Sequence, residues 1–141
     1  MATDGNDFSR SMGIATSGLR AQAARMRVIS ENIANADSTG QTAGGDPYRR
    51  KIPTFTSELD RTLDARVVTL GRVRPDASAF RVKYEPNNPA ADAAGNVKYP
   101  NVNPLVEMTD MREAQRSYEA NLNIISATRR MIQRTLDILK A

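Results

Sequence analysis

The chain contains no histidine and no cysteine. Without histidine it lacks the commonest general base, the usual zinc ligand and the side chain that titrates near neutral pH. Without cysteine it has no thiol nucleophile, no disulfide and no thiolate for zinc or iron–sulfur clusters. Either redox compartment suits such a chain. Tryptophan is absent and aromatics make up 5% of residues. A core must therefore come from Leu, Ile, Val, Met and Ala, which suits helices. No apolar run approaches the ~18 residues of a membrane span. The stretch from Met1 to Asp7 is polar and acidic, unlike a cleaved secretory signal. The expectation is a cytoplasmic protein, or one exported by a route that reads no such signal.

Proline and glycine are absent from long stretches. All seven prolines lie between Pro47 and Pro104, and no glycine follows Gly95. The 141 residues, the length of one domain with or without ordered tails, thus divide into three. Residues 1–40 read as an N-terminal helix, 41–104 as loops and short strands, and 105–141 as a C-terminal helix. The fold class expected is mainly α, with the long terminal helices paired as a coiled coil beside a small irregular or β middle segment.

Periodicity carries that reading. Met12, Leu19, Met26 and Ile33 recur every seven residues, with Phe8, Ala15 and Ile29 as companions and Gln22 as their polar member. Ser9 or Ser11 is the expected cap. Gly13 and Gly18 each cost about 1 kcal/mol in a helix interior but let another backbone come close. In the C-terminal segment Met111, Tyr118, Ile125, Ile132 and Leu139 form one row. Met108, Gln115, Leu122, Arg129 and Leu136 form the row three residues before it. Such a segment makes a rod of roughly 55 Å, with acidic residues early and basic residues late, as the helix dipole favours. Its stripe is longer than the N-terminal helix can cover, so apolar surface is left for other chains. In the middle, Val67–Leu70 and 79–84 read as strands. Phe80, Val82 and Tyr84 are expected on one face, and 97–99 returns after a turn at 92–95.

Candidate chemistry is sparse. Gly40 and Gly45 have P-loop spacing, but Asp46 stands where the motif needs Lys. Glu85, Asn87, Asn88 and Asp92 lack the pattern of a calcium loop and read as a proline-rich turn. Arg49, Arg50 and Lys51 read as a solvated charge run. Asn32, Asn35 and Asn121 are either helix-ending, solvent-facing amides or buried amides that fix helix register. No catalytic constellation is present, so no catalytic residue, cofactor or metal ligand is assigned. The net charge of +4 is mild. It leaves a basic coiled-coil nucleic-acid-associated protein as an alternative of a different class.

Several motifs together resemble a known family. Asn32-Ile33-Ala34-Asn35 resembles the motif of flagellar rod and hook axial proteins, and Pro47-Tyr48-Arg49 plays the part of the element that follows it. Tyr84-Glu85-Pro86, then Tyr99-Pro100-Asn101-Val102, then Arg116 through Asn121 is similar to the FlgC family of the proximal flagellar rod. The family often carries His at the position of Asn88 and an aromatic at that of Asn96. Another axial rod subunit is the nearer alternative. The resemblance implies a structural subunit, not an enzyme, exported through the flagellar type III apparatus without a cleaved signal. It implies a helical tube in the periplasm that surrounds the export channel and transmits torque. The implied partners are further copies, rod proteins of the FlgB, FlgF and FlgG types and the basal-body adaptor FliE, in a helical hetero-oligomer. Nucleic acid and direct membrane insertion are not implied. Interface residues would be Met12, Leu19, Met26, Ile29, Ile33, Met111, Tyr118, Leu122, Ile125, Ile132, Leu136 and Leu139. The termini are expected to order on assembly. Asp at Leu122 or at Ile125 is expected to block incorporation, because it puts an unpaired charge into a dry seam.

Overall fold

The computed structural model describes residues 4–140. The outer ends of the expected helical segments, residues 1–3 and 141, lie outside them. Two helices, α1 (Asp4–Ala34) and α2 (Pro104–Lys140), flank six short strands. The strands are β1 (Lys51–Ile52), β2 (Phe55–Asp60), β3 (Ala65–Leu70), β4 (Arg74–Pro75), β5 (Arg81–Tyr84) and β6 (Asn96–Tyr99). They form three separate antiparallel pairs, β1–β4, β2–β3 and β5–β6. None of the described helices is long and apolar enough to cross a membrane.

The chain forms two compact units. The first holds α1 up to Arg25, residues Phe55–Gly71 and α2 from Glu113 onward. In it, α1 starts before both serines expected as its cap, so Ser9 and Ser11 are interior residues of the helix. Gly13 and Gly18 mark close approaches. A Cβ on Gly13 would meet Leu63 Cδ1 at 2.4 Å, and one on Gly18 would meet Asn121 Nδ2 at 2.8 Å. Arg25 pairs with Glu113 at 3.8 Å. Moving from Gly18 to Arg25 along α1 thus moves from Asn121 back to Glu113 along α2, so the two helices run antiparallel here. The β2–β3 hairpin joins α1 through its tip and its edge. Arg10 Nε donates to the Leu63 carbonyl at 3.0 Å, and the Val68 amide donates to Ser17 Oγ at 3.2 Å.

The covered face of α2 is turned from the expected one. Met111, Tyr118, Ile125 and Ile132 are half-buried, as their row requires. The companion row Met108, Gln115, Leu122, Arg129 and Leu136 is exposed throughout. The row one residue earlier is covered instead, with Glu107, Ala114 and Thr128 buried and Asn121 half-buried. Small and polar side chains there let α2 lie close to a glycine of α1, where bulky Leu and Met would hold it away. On α1, Ala15, Ala21, Val28, Ile29 and Asn32 are buried, while Met12, Leu19, Met26 and Ile33 are half-buried.

The second unit holds residues Met26–Thr54 and Arg72–Arg112. Its small apolar core is Ala90, Val97 and Tyr99. β5 and β6 pair with Arg81 opposite Tyr99 and Lys83 opposite Val97. The hairpin therefore keeps the expected alternation, with Val82 and Tyr84 on one face and Arg81 and Lys83 on the other, and the basic face is the one that lies with the core. Val82 and Tyr84 are exposed, while Arg81 and Lys83 share a face with the buried Val97 and Tyr99. Their basic ends find partners on that face. Lys83 Nζ sits 4.6 Å over the Tyr99 ring, and Arg81 donates to the carbonyls of Pro100 at 3.0 Å and Ala36 at 2.8 Å. α2 opens with Asn103, whose Oδ1 accepts from the Leu105 amide at 3.1 Å. Pro104 follows at the first helical position, where its missing N–H costs nothing.

Candidate functional site: the Asn32–Glu107 junction

Asn32 lies near the end of α1 and is 0% exposed. Its amide uses every bond it can make. Nδ2 donates to the Lys51 carbonyl at 2.8 Å and to Glu107 Oε2 at 3.0 Å. Oδ1 accepts from the Lys51 amide at 2.9 Å and from the Tyr48 hydroxyl at 2.8 Å. Two donors and two acceptors exhaust an asparagine side chain. Because both backbone groups of Lys51 bond to it, Asn32 acts toward β1 as a neighbouring strand would.

Glu107, in the first turn of α2, is 1% exposed. A buried carboxylate needs charge and hydrogen bonds around it. Arg50 supplies both, with Nε donating to Glu107 Oε1 at 2.6 Å. The same guanidinium reaches Asp76 at 3.5 Å and Asp110 at 3.8 Å. Burial works against its charge, but Glu107 and then Asp76 outweigh that and hold its pKa above the ordinary value. Asp76 sits below the usual carboxylate range, through bonds from Ser78 first and then the charge of Arg50. Tyr48 is pushed up to about 12 by burial and by Glu31 and Glu107. Asn101 ties the far side. Its Oδ1 accepts from the Arg50 amide at 2.8 Å, and its Nδ2 donates to the carbonyls of Asp76 and Ser78.

The run Arg49, Arg50 and Lys51 is therefore not a solvated charge run. Arg49 lies 4.1 Å over the Phe80 ring and donates to the carbonyls of Asp76 and Ser78. Lys51 pairs with Glu31. Pairing of β1 with β4 brings this run beside Asp76, Ser78 and Phe80, which composition alone does not reveal.

The three asparagines separate. Asn32 is the buried amide that spans elements. Asn35 bonds back to the Glu31 carbonyl at 2.8 Å, and Asn121 to the Ser117 carbonyl at 3.0 Å, both four residues away. The Tyr84, Glu85, Pro86, Tyr99 and Pro100 motif forms its own group in the second unit. Glu85 accepts from Asn88 and from the Tyr99 hydroxyl, and those bonds, in that order, hold it below its usual range. Tyr84 is exposed, Pro100 is buried, and Arg116 stands exposed on α2. Of the predicted interface residues on α2, Leu122, Leu136 and Leu139 are exposed. Sequence reading missed Tyr48, Arg50, Asp76 and Glu107 as one network. The available signal was an acid placed in the first turn of α2 and an arginine beside the aromatic that follows the Asn32 motif.

This junction joins the two regions that family models recognise. Residues 12–40 match the model described as flagella basal body rod protein. Residues 93–138 match that described as flagellar basal body rod FlgEFG protein C-terminal. A flagellar basal-body rod protein FlgC from Agrobacterium fabrum is 54% identical over 134 residues, covering 95% of this chain and 96% of the relative. The FlgC of Bacillus subtilis is 37% identical, covering 92% and 97%. That of Salmonella typhimurium is 39% identical, covering 89% and 92%. The chain belongs to the FlgC family of flagellar basal-body rod proteins. The FlgC match runs through α1, the strands and α2 alike, so the Asn32–Glu107 junction is a structural feature inside a rod-protein fold.

Proposed function

We propose that the chain is a structural subunit of the flagellar basal-body rod, in its proximal segment. It polymerises into a helical tube that surrounds the export channel and transmits torque. Residues 1–40 and 105–141 make the axial core, where the terminal helices pair as a coiled coil, and residues 41–104 face outward. The antiparallel approach at Gly18 and Asn121 supports that pairing. Polymerisation is supported by the apolar surface left on the last turns of α2, where Met131, Leu136, Ile138 and Leu139 are all exposed. Burying such surface in an assembly yields about 25 cal/mol per Å², enough to order helices that are marginal alone. The predicted interface residues, from Met12 and Leu19 through Ile132 and Leu139, serve these contacts and no catalysis. The neighbours are further copies, rod proteins of the FlgB, FlgF and FlgG types, and FliE. The subunit reaches the periplasm through the flagellar type III apparatus.

The single observation that carries this reading is the family match over nearly the whole chain, joined to a fold with an uncovered α2. Deleting the chain from its source cells and viewing basal bodies by electron microscopy tests it. Particles should stop at the membrane-embedded base, and complementation should restore the rod. Complete rods in the deletion strain would refute it.

A further inference from the structure

The β5–β6 hairpin has one closed edge and one open edge. The Glu85 amide donates to the Gly95 carbonyl at 2.8 Å, as in a bonded pair of the ladder. Bonded and non-bonded pairs alternate along antiparallel strands. The register therefore makes Arg81–Tyr99 and Lys83–Val97 bonded pairs, and Val82–Lys98 and Tyr84–Asn96 non-bonded ones. The N–H and C=O of Val82 and of Tyr84 thus point away from β6. On the β6 side the matching groups of Asn96 are taken. Its carbonyl accepts from the Asp92 amide at 2.9 Å, and its amide donates to Asp92 Oδ1 at 2.9 Å. On the β5 side, among the described residues, β6 is the only strand neighbour and no bond reaches the outward groups of Val82 or Tyr84.

Open edges are usually blunted by charge, proline or a covering element. This one carries apolar side chains, with Val82 59% and Tyr84 71% exposed. The Tyr84 ring is nonetheless held in place. A Cβ on Gly95 would lie 2.8 Å from Tyr84 Cε2 and 3.2 Å from Pro86 Cβ, so the ring rests on backbone that glycine leaves open. An aromatic anchor placed in advance loses little freedom on binding. On the other face of β5, Arg81 is engaged by Asp37 at 3.7 Å and by two carbonyls. Lys83 lies over the Tyr99 ring and forms no ion pair among the described residues. The nearby Glu85 is occupied by Asn88 and the Tyr99 hydroxyl.

We infer that β5 receives an added strand from a different protein of the basal body, one in which an acidic residue stands between two apolar ones. Main-chain bonds to Val82 and Tyr84 hold such a strand, and its alternate side chains select it. Its apolar residues lie beside Val82 and Tyr84, and the acid between them lies beside Lys83. A second copy of this chain is a poor occupant, because β5 against β5 sets Lys83 beside Arg81 or Lys83 of the other copy. The inference rests on the rod reading, which turns residues 41–104 outward.

Washed wild-type basal bodies test the edge without any substitution. Amide hydrogen exchange, resolved by residue, is compared between the free chain and the particles. The Val82 and Tyr84 amides should exchange at least tenfold more slowly in the particles. Equal exchange in both samples, with the chain present in the particles, would overturn the added strand and leave the rod reading standing. Absence of the chain from the particles would refute the rod reading, and the added strand with it. Photo-crosslinking then identifies the occupant. p-Benzoylphenylalanine in place of Val82 or of Tyr84 should link to one segment of a different basal-body protein, at residues two apart with an acid between them. A link to another copy of this chain, links spaced three or four residues apart, or no link would overturn the stated partner. Lys83→Glu should cut the link from position 82 at least tenfold per copy, and Lys83→Arg should retain it. An unchanged link in Lys83→Glu would overturn the acidic residue. If the photoreactive variants do not enter particles, exchange in the wild-type chain decides.

Discussion

Replacing Asn32 by Ala probes the junction where the two family regions meet. The substitution removes four hydrogen bonds and strands the Lys51 N–H and carbonyl, the Tyr48 hydroxyl and one oxygen of the buried Glu107. A hydrogen bond contributes about 1 kcal/mol net, and an orphaned buried group costs about 1–3 kcal/mol. Water entering the vacated space satisfies some of these groups, so the expected loss is about 3–5 kcal/mol. Domains of this size are stable by only about 5–15 kcal/mol, so the change is large. Urea unfolding of the full chain followed by circular dichroism reads it as a lowered midpoint. Amide exchange at Lys51 should accelerate in parallel. Asn35→Ala is the control, since Asn35 bonds only within its own helix end, and it should cost under about 1 kcal/mol. A loss below about 1 kcal/mol for Asn32→Ala, with Lys51 still protected, would refute the claim that this amide holds β1 to α1 and α2.

Three further outcomes follow from the same geometry. Arg50→Met leaves the Glu107 carboxylate buried without its cation, so it should destabilise the chain by about 3–5 kcal/mol, and adding Glu107→Gln should recover part of that in the same urea assay. Tyr48, raised to about 12, stays neutral in the fold at a pH where the unfolded chain ionises it. Its contribution is therefore full below about pH 10 and lost as pH rises toward 12, and Tyr48→Phe should flatten stability in that window. Ile125→Asp should unfold the free chain because Ile125 is half-buried, whereas Leu122→Asp should leave its circular dichroism unchanged yet abolish motility on soft agar. Normal swarming of Leu122→Asp would show that this exposed leucine meets no neighbour.

The helices were legible because seven-residue spacing survives from Met12 to Ile33 and from Met111 to Leu139, and because proline and glycine avoid them. The β5–β6 return was legible from its turn at 92–95. β2 was not read because Phe55-Thr56-Ser57-Glu58-Leu59-Asp60 has two acids and no β-branched run. It is defined by its partner β3, residue against residue. The face of α2 was misjudged by one residue because apolarity was taken as the guide. Alanine, asparagine and a paired glutamate permit closer approach than leucine does, and a glycine on the other helix decides the matter. The junction was half legible. Asn32 stood out by its motif, but Glu107 and Arg50 look like ordinary surface charge until the fold brings them within 2.6 Å.

The central claim is that this chain is a building element of the rod. Quantitative mass spectrometry of salt- and detergent-washed basal bodies from the source cells tests it most directly. The account predicts this chain at several copies per particle, retained through both washes together with the other rod proteins. Basal bodies that contain the other rod proteins and lack this chain would contradict it.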